Sequence, residues 1–412
     1  MPRLVMKFGG TSVADIERIR NVAAHVKREI DAGAEVAVVV SAMAGKTNEL
    51  VAWCKEAGSQ FDNAEYDAVV ASGELVTAGL LALVLKDIGL KARSWAGWQI
   101  PLVTDGAHGS ARISGIEGTR LIEGFRAGEI AVVAGFQGVH KATNRVTTLG
   151  RGGSDTSAVA LAAAIAADRC DIYTDVDGVY TTDPRIVHKA RRLDKVSFEE
   201  MLEMASLGAK VLQVRSVEVA MVNKVRLYVR SSFDDPARPR PGTLICEEDE
   251  IMEQEVVTGI AFSRDEAQIT LRQVADKPGV AAAIFMPLAD ANINVDMIIQ
   301  VISGDATTTD ITFTVPAAEY ERAMGLLEER REKIGYLKLH GAQDVVKISA
   351  IGVGMRSLSG VAARAFKALA EKGVNIRAIT TSEIKLSMLI DDAYTELAVR
   401  TLHTLYGLDA KA

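Results

Sequence analysis

The sequence is poor in the residues that mark several common protein classes. Its 412 residues include three cysteines, six histidines and nine prolines, and aromatic side chains make up 5% of the chain. Three widely separated cysteines do not suit a disulfide framework and fit a reducing cytoplasm. The histidines are scattered without metal-ligand spacing, so we predict no protein ligand for a metal. We therefore expect a cytoplasmic protein.

Basic surface and long apolar runs are also scarce. The formal net charge of −7 argues against general nucleic-acid binding, which needs a positive surface. No apolar run is predicted to reach the length of a membrane span, and the first residues enter a strand rather than a signal peptide. A hydrophobic share of 48% over this length allows sizeable cores in two or three domains.

What is present is a repeated order of strand, glycine-rich turn and helix. Buried-type strands are predicted at 4–8, 35–40, 130–134 and 171–174, and the first ends at Gly9-Gly10. This order indicates an α/β fold with a parallel sheet and crossover connections. Ligands of such sheets bind at the carboxyl ends of the strands.

The segment 147–155 is the most informative part of the chain. Arg151 precedes Gly152 and Gly153, and Ser154 and Asp155 open a helical run predicted for 156–167. Glycines let a backbone approach a ligand closely, and a helix N-terminus favours negative charge. The arginine fork suits a carboxylate or a phosphate. The segment therefore predicts an anion site.

Other strand ends carry polar residues whose roles remain open at this point. Lys7 precedes a glycine turn and would neutralise phosphate oxygens, or it is a surface lysine. Ser41 and Thr47 would bind a small polar ligand, although a helix N-cap explains a serine equally well. Glu74 would pair with a substrate ammonium group or favour the helix dipole.

The loop 173–185 is long and polar, and it follows a strand. Its spacing does not match a calcium loop, because Gly178 is three residues after Asp175 and no glutamate closes the loop. A nucleotide-holding loop fits better, with Tyr180 over a base and Arg185 or Lys210 on phosphates.

An internal repeat follows a domain boundary expected near residues 246–254, after a proline-rich loop at 234–242. At an offset of 81, a Gly-Val-Ala-Ala run at 279–282 recurs at 360–363, and Asn294 pairs with Asn375. Each copy is predicted to run strand, helix, strand, strand, helix, which is a ferredoxin-like order. The expected boundaries are 1–246 for the first domain, 247–258 for a linker, and 259–340 and 341–412 for the repeated domains.

These motifs together resemble the aspartokinases of the amino acid kinase family. The resemblance rests on residues 7–12, 40–43, 72–74, 135–138, 148–155 and 173–185, and it covers nearly the whole chain. It implies an open, mostly parallel sheet with helices on both faces, followed by two ferredoxin-like α+β domains of the ACT type. The chain ends after the second of these and therefore looks monofunctional.

The resemblance implies transfer of the ATP γ-phosphoryl group to the β-carboxylate of L-aspartate, the first step towards lysine, threonine and methionine. Mg²⁺ is expected, held by ATP phosphates and water. Lys7 and Asp155 are the implied catalytic residues. The implied substrate residues are Ser41, Thr47, Glu74, Arg151, Gly152, Gly153 and Ser154, and the nucleotide residues are Lys7, Gly9, Gly10, Thr174, Asp175, Tyr180, Asp183, Arg185 and Lys210.

The ACT pair implies feedback by lysine, threonine or both. The expected effector residues are Asp276, Lys277, Pro278, Gly279, Val280, Ala281, Asn294, Gln300, Asn375 and Ile376. A homo-oligomer built through ACT domains is expected, or the repeat serves dimerisation alone. Met252 is either an ordinary linker methionine or an internal start for a shorter regulatory subunit.

Two rival functions stay open on the sequence alone. One is a kinase of the same fold that acts on another carboxylate, and the other is an amino-acid sensor that has lost catalysis. The motif at 148–155 combined with a C-terminal ACT pair argues against the first. Retention of Lys7, Glu74, Arg151 and Asp155 argues against the second.

Overall fold

The chain forms two compact units, each with its own hydrophobic core. The computed structural model describes residues 1–58, 62–100, 102–208, 211–251, 255–302 and 307–409. The first unit comprises Met1–Val179, Arg192–Ala205 and Lys210–Met252, and the second comprises Tyr180–Arg191, Ser206–Ala209 and Glu253–Ala412.

The first unit contains eight α-helices and twelve strands among the described residues. The strands are β1 (Arg3–Phe8), β2 (Glu35–Val40), β3 (Ala92–Trp95), β4 (Leu102–Thr104), β5 (Ile113–Ile116), β6 (Ile130–Ala134), β7 (Gln137–His140), β8 (Arg145–Thr148), β9 (Arg169–Thr174), β10 (Lys195–Ser197), β11 (Leu227–Ser231) and β12 (Thr243–Cys246). The helices are α1 (Ile16–Asp31), α2 (Lys46–Ala57), α3 (Asn63–Val70), α4 (Ser72–Asp87), α5 (Thr119–Arg126), α6 (Gly153–Ala164), α7 (Phe198–Ser206) and α8 (Val214–Asn223).

A mostly parallel sheet forms the centre of this unit. Its strand order over the described residues is β10-β12-β11-β9-β1-β2-β6-β3. The pairings from β11 to β3 are parallel, whereas β12 runs antiparallel to β11. Helices α1 and α4 pack on one face, and α6 packs against β1, β2 and β9. The predicted α/β fold class is confirmed.

Strand β1 shows how the two faces are specified. Side chains alternate along a strand, so every second residue faces the same layer. Leu4, Met6 and Phe8 pack in the cluster that includes residues of α1 and α4. Val5 and Lys7 therefore face the opposite side, where α6 lies. The alternation along this strand therefore turns Lys7 towards helix α6.

A smaller sheet of order β5-β4-β7-β8 lies in the same unit. Helix α3 packs against β8, which leads into the segment that carries Arg151. The connection from β6 to β7 passes through Phe136 at a φ of 67°, a left-handed conformation that a large side chain rarely adopts. Its N–H donates to Ser157 Oγ of α6 over 3.1 Å, which ties this turn to the start of α6.

One helical segment passes a simple test for a membrane span. Residues 63–87 are long and apolar enough by length and composition, contrary to the expectation from the sequence. The segment comprises α3 and α4, with Ala71 between them, and 44% of its most apolar window is buried in the protein. Ala78, Leu81 and Leu85 of this segment pack in the core of the first unit.

The second unit contains eight strands and five helices among the described residues. They are β13 (Gly259–Ser263), β14 (Ala267–Ala275), α9 (Val280–Asp290), β15 (Asp296–Ile302), β16 (Thr308–Val315), α10 (Tyr320–Glu329), α11 (Arg331–Ile334), β17 (Lys338–Ala342), β18 (Val345–Ile351), α12 (Val361–Glu371), β19 (Ile376–Thr381), β20 (Lys385–Asp391) and α13 (Thr395–Leu405). The order strand, helix, strand, strand, helix occurs twice, as the repeat predicts.

The two sheets of this unit are not separated at residue 340, where the boundary between the repeated domains is expected. Their orders are β15-β16-β14-β17 and β13-β18-β20-β19. Strand β13 pairs antiparallel with β18, so residues 259–263 belong to the second sheet although they precede the first repeat. Residues 338–342 close the first sheet beside β14. The first repeat is thus inserted between two strands of the second.

The segments Tyr180–Arg191 and Ser206–Ala209 also belong to the second unit, although the expected first domain runs from 1 to 246. Ile186 and Val187 pack in the cluster formed by β18, α12 and α13. The N–H of Ile260 donates to the carbonyl of Thr181 over 2.7 Å. Apolar burial and backbone pairing therefore hold 180–191 in the second unit.

Candidate active site

Four strands of the central sheet end at the same level. In the strand register, Phe8 lies beside Val40 and Tyr173, and Val40 lies beside Ala134. The turns that follow these residues therefore meet at one edge of the sheet. This edge is where an open α/β sheet binds its ligands, as the sequence pattern predicts.

Lys7 and Asp155 form a nearly buried ion pair at this edge. Lys7 Nζ lies 2.5 Å from Asp155 Oδ1, and each side chain is 11% exposed. Lys7 comes from β1, and Asp155 lies in the first turn of α6. Helix α6 begins at Gly153, three residues earlier than predicted, which places both Ser154 and Asp155 inside its first turn.

Glycines allow the backbone to pack closely around this pair. A Cβ added to Gly9 would lie 3.5 Å from Lys7 Nζ, and one added to Gly10 would lie 3.0 Å from the carbonyl oxygen of Ala42. Gly152 has a φ of 69°, and a Cβ there would overlap Gln213. Lys7 thus lies beside a bare backbone turn and a helix N-terminus, which together can receive a phosphate.

Glu74 is buried in the first turn of α4, with 3% of the residue exposed. Its Oε1 accepts a hydrogen bond from the N–H of Ala42 over 3.0 Å. Its Oε2 has no hydrogen-bond partner among the described residues. Burial raises the pKa of this carboxyl to about 7, against the opposing effect of the Ala42 N–H. An unpaired buried carboxylate oxygen is suited to a cationic group of a ligand.

The remaining predicted substrate residues lie on the turns that surround this edge. Ser41 follows β2, and its N–H donates to the carbonyl of Phe8 over 3.1 Å. Thr47 lies in the first turn of α2 and is half-buried. Ser154 is buried, whereas Arg151 is exposed. Within the described parts of the chain, no hydrogen bond or ion pair engages the Arg151 guanidinium, which is available for an anion.

The predicted nucleotide residues are divided between the two units. Thr174 ends β9, and its Oγ1 donates to Asp175 Oδ1 over 3.1 Å. Tyr180, Asp183 and Arg185 belong to the second unit. There the exposed Arg185 side chain forms an ion pair of 2.8 Å with Asp183, which lowers the pKa of that carboxyl. Lys210 lies outside the described residues.

The predicted effector residues lie in both repeats, and Asn294 and Asn375 occupy corresponding places. Asp276, Lys277 and Pro278 form the exposed loop before α9, where Gly279 has a φ of 93°. Val280 and Ala281 begin that helix. Asn294, Gln300 and Asn375 are exposed, and Ile376 begins β19.

A cavity of about 470 Å³ lies in the second repeat, next to residues that the sequence did not single out. It is lined by Gly360 directly before α12, by Arg356, by Ser382 and Glu383 of the β19–β20 turn, and by Lys385 at the start of β20. Gly360 stands 81 residues after Gly279, so the cavity opens at the second copy of the predicted effector loop. The offset in the repeat was the signal that could have located it.

Sequence reasoning missed the residues that hold the Arg151 segment. Asp67 of α3 is fully buried and accepts hydrogen bonds from His108, Gly109 and Thr148. Arg215 of α8 donates to the carbonyls of Leu149 and Ala111, each over 2.9 Å. Their partners are 41 to 104 residues away in the sequence, so no local pattern indicates them.

Across the described ranges, no group of three or more His, Cys, Asp or Glu side chains is placed to hold a metal ion. Mg²⁺ that arrives with a nucleotide keeps phosphate and water ligands, and such a site needs few protein carboxylates.

Comparisons with known proteins agree with this geometry. Residues 2–231 match the amino acid kinase family, and residues 272–330 and 348–406 match the ACT domain. The chain is 52% identical over 413 residues to an aspartate kinase of Stutzerimonas stutzeri, covering 100% of this chain and 99% of the relative.

Solved structures of similar architecture include two states of one enzyme. E. coli aspartokinase III in complex with aspartate and ADP, in the R-state, superposes with a TM-score of 0.80 at 27% identity, covering 98% of this chain and 99% of the other. The same enzyme with lysine and aspartate, in the T-state, gives a TM-score of 0.77 at 28% identity, covering 97% and 98%.

Proposed function

Since the chain belongs to the aspartokinases of the amino acid kinase family, we propose that it transfers the γ-phosphoryl group of ATP to the β-carboxylate of L-aspartate. A carboxylate oxygen forms the new bond to phosphorus as the bond to the bridging oxygen of ADP breaks. The products are 4-phospho-L-aspartate and ADP. The observation that carries the proposal is the Lys7–Asp155 pair beside the glycine turn, on a chain related to aspartate kinases along its whole length.

Catalysis in this proposal is positioning and charge neutralisation, because the attacking carboxylate is already a nucleophile. Lys7 neutralises the oxygens of the transferring phosphoryl group, and Asp155 holds the Lys7 ammonium in place. The backbone at Gly9 and Gly10 approaches the phosphates. Mg²⁺ supplies further positive charge on the phosphate oxygens when the nucleotide is bound.

Aspartate is oriented by groups of opposite charge. The free Oε2 of Glu74 accepts from its α-ammonium group, and Arg151 pairs with one of its carboxylates. Ser41, Thr47 and Ser154 add hydrogen bonds, and Gly152 and Gly153 allow the backbone to approach. On the nucleotide side, the assigned residues are Thr174, Asp175, Tyr180, Asp183, Arg185 and Lys210.

The second unit is proposed to bind lysine, threonine or both, and thereby to regulate the kinase. The loop 276–281 with Asn294, Gln300, Asn375 and Ile376 is one candidate location. The cavity beside Gly360 is another, because Arg356, Lys385 and Glu383 offer charges of both signs to an amino acid. A homo-oligomer through the ACT domains belongs to the same proposal, as does a shorter regulatory subunit if Met252 is used as a start.

The test is aspartate-dependent release of ADP from ATP and Mg²⁺, with the acyl phosphate trapped as its hydroxamate. We expect turnover that lysine, threonine or both suppress. Turnover with another carboxylate but not aspartate would replace the substrate assignment. Absence of turnover with binding of lysine or threonine retained would favour an amino-acid sensor instead.

A further inference from the structure

The most heavily hydrogen-bonded buried carboxylate near the site is not among the predicted residues. Asp67 of α3 has no exposed surface. It accepts from His108 Nδ1 over 2.7 Å, from the N–H of Gly109 over 3.0 Å and from Thr148 Oγ1 over 2.5 Å. We assign His108 Nδ1 as the donor in this contact, because the carboxylate oxygen is the acceptor.

Each partner of Asp67 lies on a segment that touches the Arg151 turn. Thr148 ends β8, three residues before Arg151. The loop at 108–110 packs beneath the turn, since a Cβ on Gly150 would lie 3.3 Å from the carbonyl oxygen of Gly109. The N–H of Ala111 donates to the carbonyl of Thr148 over 2.9 Å. One carboxylate therefore fixes both the strand end and the loop on which the turn rests.

The turn itself needs such support. Gly150 and Gly152 have φ of 77° and 69°, and glycine is the least restrained residue in an unfolded or loosened backbone. The Arg151 side chain between them has no partner of its own within the described residues. The backbone on either side sets the direction of its Cα–Cβ bond, and the chain ahead of it is held by Asp67 at the Thr148 hydroxyl and by Arg215 at the Leu149 carbonyl.

We propose that Asp67, oriented by His108, is a positioning residue for aspartate binding, because it fixes the backbone that aims Arg151 at the substrate carboxylate. This inference rests on the proposed function. It assigns Asp67 no contact with the substrate. Lys7 and the glycine turn at 9–10 take no part in this network, so the proposal separates aspartate binding from nucleotide binding.

The experiment compares Asp67→Asn, His108→Ala and His108→Asn in the full chain by steady-state kinetics. An asparagine at 67 keeps the shape but presents an amide N–H₂ towards donors. We expect Asp67→Asn and His108→Ala to raise the KM for aspartate at least fivefold, with the KM for ATP within twofold of the unaltered protein. His108→Asn, whose side-chain amide can replace the Nδ1–H donor, should restore the aspartate KM to within twofold.

Glu65→Ala is the matched control, because Glu65 is exposed on the same helix and pairs with Arg145 at the surface. Equal changes in the aspartate and ATP parameters, or an unchanged aspartate KM, would overturn the proposal. If Asp67→Asn does not fold, the two His108 variants decide the question on the same readout. A failure of the proposed function would be visible separately, as absence of aspartate-dependent turnover in the unaltered protein.

Discussion

The Nζ of Lys7 lies 2.5 Å from Oδ1 of Asp155, although 148 positions separate the two residues. The strand alternation turns Lys7 towards α6, and the early start of that helix brings Asp155 into its first turn. A cation held in this way can meet a phosphoryl group without first losing its own orientation. This contact leads to the first prediction.

Lys7→Ala should lower kcat about 10²–10³-fold, because the variant loses a positioned cation on the transferring phosphoryl group. The variant should still fold, with a lowered thermal midpoint, because Asp155 loses the counter-charge of a nearly buried pair. Lys27→Ala is the control, since Lys27 pairs with Asp31 on the exposed side of α1. Near-normal turnover of Lys7→Ala would remove Lys7 from the catalytic assignment.

Aspartate use should depend on pH through Glu74. Its pKa of about 7 means that the carboxyl is protonated in much of the free protein below neutrality. Only the ionised form attracts an α-ammonium group, so kcat/KM for aspartate should fall as the pH drops from 8 to 6. Glu74→Gln should raise the aspartate KM and lack this limb of the profile. A pH profile identical in both proteins would contradict the assignment.

Glu74→Gln should impair aspartate binding but increase the stability of the folded protein at high pH. The folded-state pKa of Glu74 lies above its ordinary value of 4.5, so the folded protein binds the proton more tightly than the unfolded chain. Stability from this group is fully present below pH 4.5 and is lost as the pH rises through 7. Glu74→Gln should therefore stabilise the first unit by about 3 kcal/mol at pH 8 relative to its effect at pH 4.5.

Denaturant unfolding of both proteins at the two pH values measures this difference. The comparison between variant and unaltered protein cancels the other titrating groups. An equal effect at both pH values would show that burial does not shift Glu74 as described.

A buried lysine in the second unit gives a further stability prediction. Lys347 of β18 is 7% exposed and contacts Glu266 over 2.6 Å and Asp296 over 2.5 Å. Lys347→Met should destabilise this unit by about 3 kcal/mol, because Glu266 would be left buried without a counter-charge. Lys367→Met, which removes an exposed pair with Glu371, should change stability by less than about 0.5 kcal/mol. Thermal unfolding that does not distinguish the two variants would contradict this.

Two glycine substitutions should have opposite signs. Gly152→Ala forces an alanine to a φ of 69° and drives its Cβ against Gln213, so it should destabilise by about 1–2 kcal/mol and weaken aspartate binding. Gly79→Ala places a Cβ on α4 with no atom within 4 Å, so it should stabilise by about 0.5–1 kcal/mol. The unfolding free energies and the aspartate KM of both variants check this pair.

Much of the fold could be predicted from local patterns. Strands β2 and β6 have the expected bounds, since short apolar runs bounded by turn residues indicate buried strands. The repeat at an offset of 81 predicted two ferredoxin-like copies. The pairing of β13 with β18 could not be predicted, because strand partners are chosen by packing between distant segments and leave no local signal.

The sequence by itself determined which chemical groups stand at the strand ends: a lysine before two glycines, an arginine before two more, and a carboxylate ahead of an apolar helix. Only the tertiary structure decided the burial, the pKa values and the ion pairs of those groups. Burial places the pKa of Glu74 near 7, and the strand register brings Lys7 to Asp155. The place of Asp67 in the site follows from its hydrogen-bond partners, which lie 41 and 81 residues away in the sequence. Electrostatic environment and hydrogen-bond partners depend on distances in space, which residue order specifies only after the whole chain has packed.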